Sequence, residues 1–307
     1  MKPKISVVVP VDPKRKIDIV ESIKRQRSPK CIAILESGPN ASRNRNIGAK
    51  KAKTPVIAFA NMHTMLADNW SSKVVEFFSK HPEIDIVGGP HLTPRNETFF
   101  GKISGYALGS IFGAAGSSAR YNTKREILNA DERFLTGANL ACKRDVLKKI
   151  QFDEFLYPGE DPKFIKDSIE AGFKIAYSPE IIVYQSRRSN LKDFAKQIFY
   201  YATARPKKES FRETLSMPAF LVPTLFLFYV ALLPALIFID LLFLVPLTLY
   251  IVLSIVFSIY VGIKNRDFWA IFVLPTLFFT IHITYGYGFI YGFIEKIRKK
   301  VPYNPYQ

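Results

Sequence analysis

The sequence predicts an α/β domain followed by a C-terminal α-helical transmembrane region. Three observations carry that expectation. Short apolar runs alternate with segments of helical period through the N-terminal part of the 307 residues. Charge then nearly vanishes, with Asp240 the single charged residue between Pro218 and Ile263. Basic residues gather on either side of that apolar stretch.

Ile5-Ser6-Val7-Val8-Val9-Pro10 is apolar and β-branched almost throughout, the pattern of a strand covered on both faces in a parallel sheet. Asp18 to Arg25 reads as a short helix, Cys31 to Leu35 as a second buried strand, and Glu36-Ser37-Gly38-Pro39-Asn40 as a turn. Ser42 to Lys53 sets Ile47, Ala49 and Ala52 among basic and polar residues and reads as a helix; Val56 to Ala60 is the third strand. Asp68 to Lys80 is helical, with Trp70, Val74, Val75, Phe77 and Phe78 apolar, and Ile84 to Gly88 is a fourth strand. Pro90 to Asn129, rich in Gly and Ser with several aromatics, reads as an active-site flap or acceptor loop, because long irregular passages inside a domain are usually functional. Leu135 to Ala141 and Ile175 to Tyr184 supply later strands. This alternation implies a mainly parallel sheet whose ligands gather beyond the carboxyl ends of its strands, where Pro10, Glu36 and Asn61-Met62-His63 fall.

Gly159-Glu160-Asp161-Pro162 opens a further helix, whose apolar residues Phe164, Ile165, Ile169 and Phe173 recur at helical spacing. Two acids at a helix start are favoured by the macrodipole, so capping alone accounts for Glu160 and Asp161. An exposed acidic pair, Glu160-Asp161, held between a Gly-containing strand end and an amphipathic helix also suits proton transfer, but the segment taken by itself favours capping.

Pro218 to Ile239, Leu241 to Ile263 and Phe268 to Ile294 are each long enough to cross a hydrocarbon core of about 30 Å at roughly 1.5 Å per residue. The expected division is a domain over 1–210, including an amphipathic interfacial segment at 190–210, and a membrane region over 211–307 with a basic tail; Arg212 to Met217 is the boundary. Three full crossings from a cytosolic domain would put the tail Glu295 to Lys300 outside, against the positive-inside tendency. Either the third segment, interrupted by Pro275, His282, Gly286, Gly288 and Gly292, is not one straight crossing, or the charge rule yields. Asp240 falls at the tip of the hairpin between the first two spans.

The run Ile5 to Val11 is too short, and too soon followed by Lys14, Arg15 and Lys16, for a signal sequence, so the first domain is expected in the cytosol. Cys31 and Cys142, both in apolar segments, supply neither a disulfide framework nor a metal spacing. The formal charge of +17 lies largely beside the apolar spans, in Arg187, Arg188, Lys192, Lys196, Arg205 and Lys207 before them and Lys296, Arg298, Lys299 and Lys300 after. No nucleic-acid motif accompanies it, and anionic lipid headgroups are the expected partner instead.

In order along the chain, VVVPV, SRNRNIGAKKAKTPVIAFANMH, IVGGP, FLTGANLACKRDVL, FDE, GED and SPEIIVYQSRRSNLKDFAKQIFYYATARP resemble the motifs of family 2 glycosyltransferases, which have the Rossmann-like, nucleotide-sugar-binding GT-A fold. More narrowly, the chain is similar to membrane-attached members of the succinoglycan-biosynthesis type. The resemblance covers nearly the whole chain. It implies that Pro10 and Val11 lie beside the nucleotide base, that Glu36 takes the acidic position after the second strand, and that Arg45 and Asn61 serve the donor nucleotide or its diphosphate. Asn61-Met62-His63 stands where the family usually has an Asp-x-Asp-like motif for a divalent cation, which makes His63 the implied ligand for Mn²⁺ or Mg²⁺; imidazole suits Mn²⁺ better. Asp161 takes the base position, with Glu160 orienting the acceptor or the helix end. Gly137, Ala138 and Asn139 correspond to the strand end beneath the acceptor, and Gln197 and Arg205 to positions that meet the donor phosphates or the acceptor. Two further departures are visible: the spacing from Glu36 to Arg43 is shorter than usual, and QIFYYATAR differs from the Gln-x-x-Arg-Trp of processive synthases.

The implied activity is inverting transfer of a hexose-like sugar from a UDP- or GDP-linked donor to a lipid-linked or nascent polysaccharide acceptor. It would occur on the cytosolic face of the cell membrane in a multi-pass protein. The alternative is a catalytically silent membrane scaffold that keeps the nucleotide-sugar-binding fold, motivated by the carboxylates missing at Asn61 and His63.

Overall fold

The computed structural model describes residues 4–122, 125–208 and 218–298. They form two compact units: one comprises the residues up to Arg95 together with Ala119–Ser186, the other Asn96–Ser118 and the chain from Arg187. The boundary expected at Arg212 to Met217 and the tail beyond Arg298 lie outside the described residues.

In the first unit a six-stranded sheet has the order β2-β1-β3-β7-β5-β8. Strand β1 (Ile5–Val11) is buried at every position, because β2 (Cys31–Ser37) and β3 (Val56–Ala60) pair with it in parallel on either side. Strands β5 (Ile86–Gly88) and β8 (Ile175–Tyr177) keep the same direction, while β7 (Asn139–Lys143) runs antiparallel to both β3 and β5. The sheet is therefore mainly parallel with one reversed strand. Three expectations need correction. Cys31 to Leu35 is an edge strand with Ile32 and Leu35 exposed, since β2 has a neighbour on one side only. The run from Ile175 to Tyr184 is broken into β8 and β9 (Val183–Gln185); the latter joins β4 (Thr64–Leu66) and β6 (His91–Leu92) in a separate three-stranded sheet. The strand placed at Leu135 begins at Asn139, because Thr136 to Asn139 is a turn closed by the Asn139 N–H on the Thr136 carbonyl at 3.1 Å.

Helices α1 (Val20–Lys24), α2 (Ala41–Lys51), α3 (Trp70–Lys80), α6 (Arg144–Lys149) and α7 (Glu160–Glu170) belong to this unit. Helix α2 inverts the pattern read from its sequence: Ser42, Arg45, Asn46 and Gly48 are buried, while Ile47 and Ala49 are only partly so. Gly48 makes this possible, because a Cβ there would overlap the Val8 side chain, so the helix lies flush on β1. Two apolar clusters contain alternate residues of β1: Val7 and Val9 with Trp70, Val74 and Ile181, and Val8 with Ile57, Phe59, Phe152, Phe164 and Tyr177.

The second unit contains α4 (Phe99–Gly109), α5 (Ile111–Ala114), α8 (Leu191–Lys208), α9 (Pro218–Leu236), α10 (Val245–Asn265) and α11 (Ala270–Arg298). Among the described residues, the passage Pro90 to Asn129 is therefore helical over Phe99–Gly109 and Ile111–Ala114 rather than irregular throughout. Thr98 caps α4 by accepting from the Gly101 N–H, and Ile103, Ala107 and Leu108 bury one of its faces. Leu241–Asn265 and Ala270–Arg298 are long and apolar enough to cross a membrane; the helix at the first expected span ends at Leu236 and is the shorter one. The segment interrupted by Pro275 and three glycines is one continuous helix. Its glycines serve packing: Gly288 meets the Phe199 carbonyl and Gly292 the Thr203 carbonyl of α8, and Lys207 pairs with Glu295 at 2.6 Å. Helix α8, which occupies most of the amphipathic segment expected at 190–210, therefore packs within this unit.

Candidate active site

The carboxyl ends of β1, β2 and β3 carry Pro10, Glu36 and Ala60, with Pro10 in register with Glu36. Val11 accepts a hydrogen bond from the Gly38 N–H, and Asn61 to Thr64 forms a turn just after β3. The Met62 carbonyl accepts from the N–H groups of Asp18 and Ile19 at 2.9 and 3.2 Å, which fastens the segment after β1 against this turn.

Arg45 reaches this region from the buried face of α2, its side chain 4% exposed. Its Nη1 donates to Glu160 Oε1 at 3.2 Å and lies 3.4 Å from Asp161 Oδ1, while Nη2 donates to Asn61 Oδ1 at 3.3 Å. The guanidinium also stands over the Phe152 ring, 5.1 Å from its centroid. Phe152 in turn stacks on Phe164 at 4.3 Å and meets Phe59 edge-on at 4.9 Å, so the charges rest on an aromatic floor. Asn46 holds that floor in place: its side chain bonds both the N–H and the carbonyl of Phe152 and reaches Glu154 Oε1 at 3.0 Å.

The acidic pair opens α7. Gly159 precedes it at φ 120°, a conformation costly for any other residue, and its N–H donates to Glu160 Oε2 at 3.1 Å. Burial pushes the Glu160 carboxyl above its ordinary pKa, and the charge of Asp161 adds to this, with Arg45 opposing both. Asp161 is closed in from the other side by Gly137, where a Cβ would come within 2.5 Å of Oδ1. Oδ1 is buried and faces Arg45, while the side chain as a whole keeps some exposure.

The other expected residues divide. Asn139 is buried with its side-chain amide engaged: Oδ1 accepts from Trp70 Nε1 at 2.9 Å, and Nδ2 donates to the carbonyls of Pro90 and Ile181. Ala138 is buried in the same turn. Glu36 is paired with Lys51 at 2.8 Å. Gln197, on α8 in the second unit, donates to the Tyr201 hydroxyl at 2.9 Å, and Arg205 lies two turns further along that helix.

Among the described residues no three His, Cys, Asp or Glu side chains converge as a metal cluster. Asn61 engages its carbonyl oxygen with Arg45. His63 is half-exposed, and its Nδ1 lies 3.3 Å from Asp18 Oδ2. A carboxylate at Nδ1 holds the proton there and leaves the lone pair on Nε2, the arrangement that orients histidine ligands in metal sites. This donor set fits a cation that arrives on phosphate oxygens and takes one protein nitrogen; it does not fit a resident ion held by protein alone. Asp18, Asn46 and Phe152 were not legible as site residues, because each acts through a partner 45 to 106 positions away.

Residues 7–151, a little less than half of the chain, match the family model Glycosyl transferase family 2, so this part of the chain is similar to glycosyltransferase domains of that family. It is 33% identical over 147 residues to a Methanococcus voltae protein named dolichyl N-acetyl-alpha-D-glucosaminyl phosphate 3-beta-D-2,3-diacetamido-2,3-dideoxy-beta-D-glucuronosyltransferase, covering 48% of this chain and 43% of that one. It is 24% identical over 182 residues to the pre-mycofactocin glycosyltransferase of Mycobacterium tuberculosis, covering 55% and 34%. The chain thus spans less than half the length of these relatives. A solved structure of the Pyrobaculum calidifontis mannosyltransferase PcManGT, in complex with GDP-Man and Mn²⁺, superposes with a TM-score of 0.56 at 12% identity over 98% of this chain and 88% of its own. The first unit has the GT-A-type α/β fold with a mixed sheet.

Gly137→Ala should leave the protein folded and donor binding largely intact while lowering transfer by about 100-fold, because its methyl group displaces Asp161 by an ångström or more. Steady-state rates beside nucleotide affinity check this; an unchanged rate would show that the position of Asp161 is immaterial.

Proposed function

We propose that this protein is an inverting glycosyltransferase that moves one sugar from a UDP- or GDP-linked donor to a lipid-linked or nascent polysaccharide acceptor at the cytosolic membrane face. The observation that carries the reading is the Arg45 network, which brings Asn61 from the end of β3 and the acidic pair of α7 to one guanidinium. In this reading Asp161 receives the acceptor proton through Oδ2 as the acceptor oxygen bonds to the anomeric carbon. The bond from that carbon to the donor diphosphate breaks at the same time, inverting the centre. The Arg45 guanidinium lies 3.4 Å from Oδ1, and Oδ2 is the oxygen proposed to act. Glu160, buried behind Asp161, sets the start of α7 rather than taking the proton.

Pro10 and Val11, at the end of β1, line the base side of the donor, with Glu36 next to them on β2. Gln197 and Arg205 are proposed to meet the acceptor or donor phosphates. A divalent cation, when bound, neutralises charge developing on the leaving diphosphate; His63, oriented by Asp18, is the residue that would hold it. The lipid-linked acceptor is supported by the apolar helices α10 and α11 and by the dolichyl phosphate in the name of the Methanococcus voltae relative. Sequence similarity of the succinoglycan type leaves a nascent polysaccharide as the other acceptor.

Two outcomes follow. Asp161→Asn should fold and bind donor yet lose at least about 100-fold of lipid-dependent nucleoside diphosphate release. Retained turnover would remove Asp161 from the chemistry. Replacing Mg²⁺ with Mn²⁺ should raise activity in the wild type, and His63→Ala should abolish that preference. Equal, metal-independent rates in both proteins would reject His63 as a ligand.

A further inference from the structure

We propose that α4–α5, Phe99–Ala114, is a membrane-inserted helical hairpin whose outer side faces lipid acyl chains. The proposal rests on the reading of α10 and α11 as membrane helices. Its composition fits that setting: Lys102 is the single charged residue in FFGKISGYALGSIFGA.

The hydroxyls of Ser104 and Ser110 and the Phe112 carbonyl find partners within the unit, as lipid requires. The Thr98 and Ser110 hydroxyls accept from the Gly101 and Phe112 N–H groups, and the Ser104 hydroxyl donates to the Gly101 carbonyl. The carbonyl of Phe112, in the short helix α5 that cannot satisfy its own last carbonyls, lies 2.9 Å from His282 Nε2. The other ring nitrogen of His282 lies 2.9 Å from the Tyr250 hydroxyl. His282 therefore donates through Nε2 to the hairpin and accepts through Nδ1 from Tyr250.

Packing places α5 well inside the apolar lengths of both helices. The Phe112 ring stacks on Phe257 of α10 at 5.0 Å and meets Phe278 of α11 edge-on at 5.0 Å. Gly113 allows the approach, since a Cβ there would overlap the Ala107 carbonyl and come within 3.2 Å of the Phe278 ring. Ile111 is 63% and Phe99 56% exposed, and Val252, Val256 and Ile259 of α10 are exposed as well. Large apolar side chains on an element seated between two membrane helices share their solvent, so the occupant of this surface is the bilayer interior. The chain would then enter the membrane in the middle of its sequence as well as at its C-terminal helices.

The full-length protein with Trp269→Phe retains Trp70, buried in the first unit, as an internal reference. In that background Ile111→Trp is compared with Val252→Trp after reconstitution into phosphatidylcholine vesicles with brominated or ordinary acyl chains. Phe99→Trp serves as a second reporter should Ile111→Trp not fold. The proposal expects brominated lipid to quench the Ile111→Trp emission to an extent similar to Val252→Trp, with Trp70 unaffected. Quenching at Val252→Trp but at neither hairpin position would overturn it while leaving α10 in the membrane. Quenching at none of them would remove the membrane reading and the proposal together.

Discussion

The guanidinium of Arg45 lies almost wholly out of water, and three groups from different parts of the chain converge on it. Asn61 comes from the turn after β3, Glu160 and Asp161 from the start of α7, and Phe152 from the segment between β7 and α7. A buried charge is tolerated only when it is paired and hydrogen-bonded, so the position of Arg45 dictates where its partners can be. Gly48, one turn along α2, lets that helix sit close enough to β1 for Arg45 to reach them.

The same burial separates the two acids. Glu160 is buried and held by Arg45 and the Gly159 N–H, and its carboxyl is driven upward by loss of water and by its neighbour's charge. Asp161 remains partly open. Adjacent carboxylates with different surroundings are suited to different tasks, one orienting and one exchanging a proton. A scaffold that had given up catalysis would have no need to keep a carboxylate closed in by a glycine on one side and an arginine on the other. The lost acids at Asn61 and His63 are met by two different substitutions: Asn61 is neutral and bonds Arg45, while His63 gains the support of Asp18.

Much of the sheet was legible because its strands are apolar runs bounded by turn residues, as in Ile5 to Val11 and Val56 to Ala60. The start of α7 was equally clear from Gly159-Glu160-Asp161-Pro162. What was hidden has physical causes. Helix α2 buries polar residues, so its hydrophobic pattern pointed to the wrong face. The passage Pro90 to Asn129 looked like a loop because its Gly and Ser residues, which serve as caps and close contacts, also occur in loops. Asn139 resembled a site residue in its motif, yet its amide joins Trp70, Pro90 and Ile181, contacts that no local pattern encodes. The pairing of Asp18 with His63 likewise depends on two backbone bonds to Met62 that only the folded chain reveals.

Arg45 and the acids of α7 form one electrostatic unit, and a double-mutant cycle measures the coupling between them. Arg45→Ala, Glu160→Gln and the double variant would be unfolded by denaturant in detergent. Arg45→Ala alone should cost about 3–5 kcal/mol, because it strands buried carboxylates. In the Glu160→Gln background the same change should cost less by about 1 kcal/mol or more. Strict additivity, with Arg45→Ala equally costly in both backgrounds, would show that Glu160 and Arg45 are neighbours without being partners, and would contradict the account.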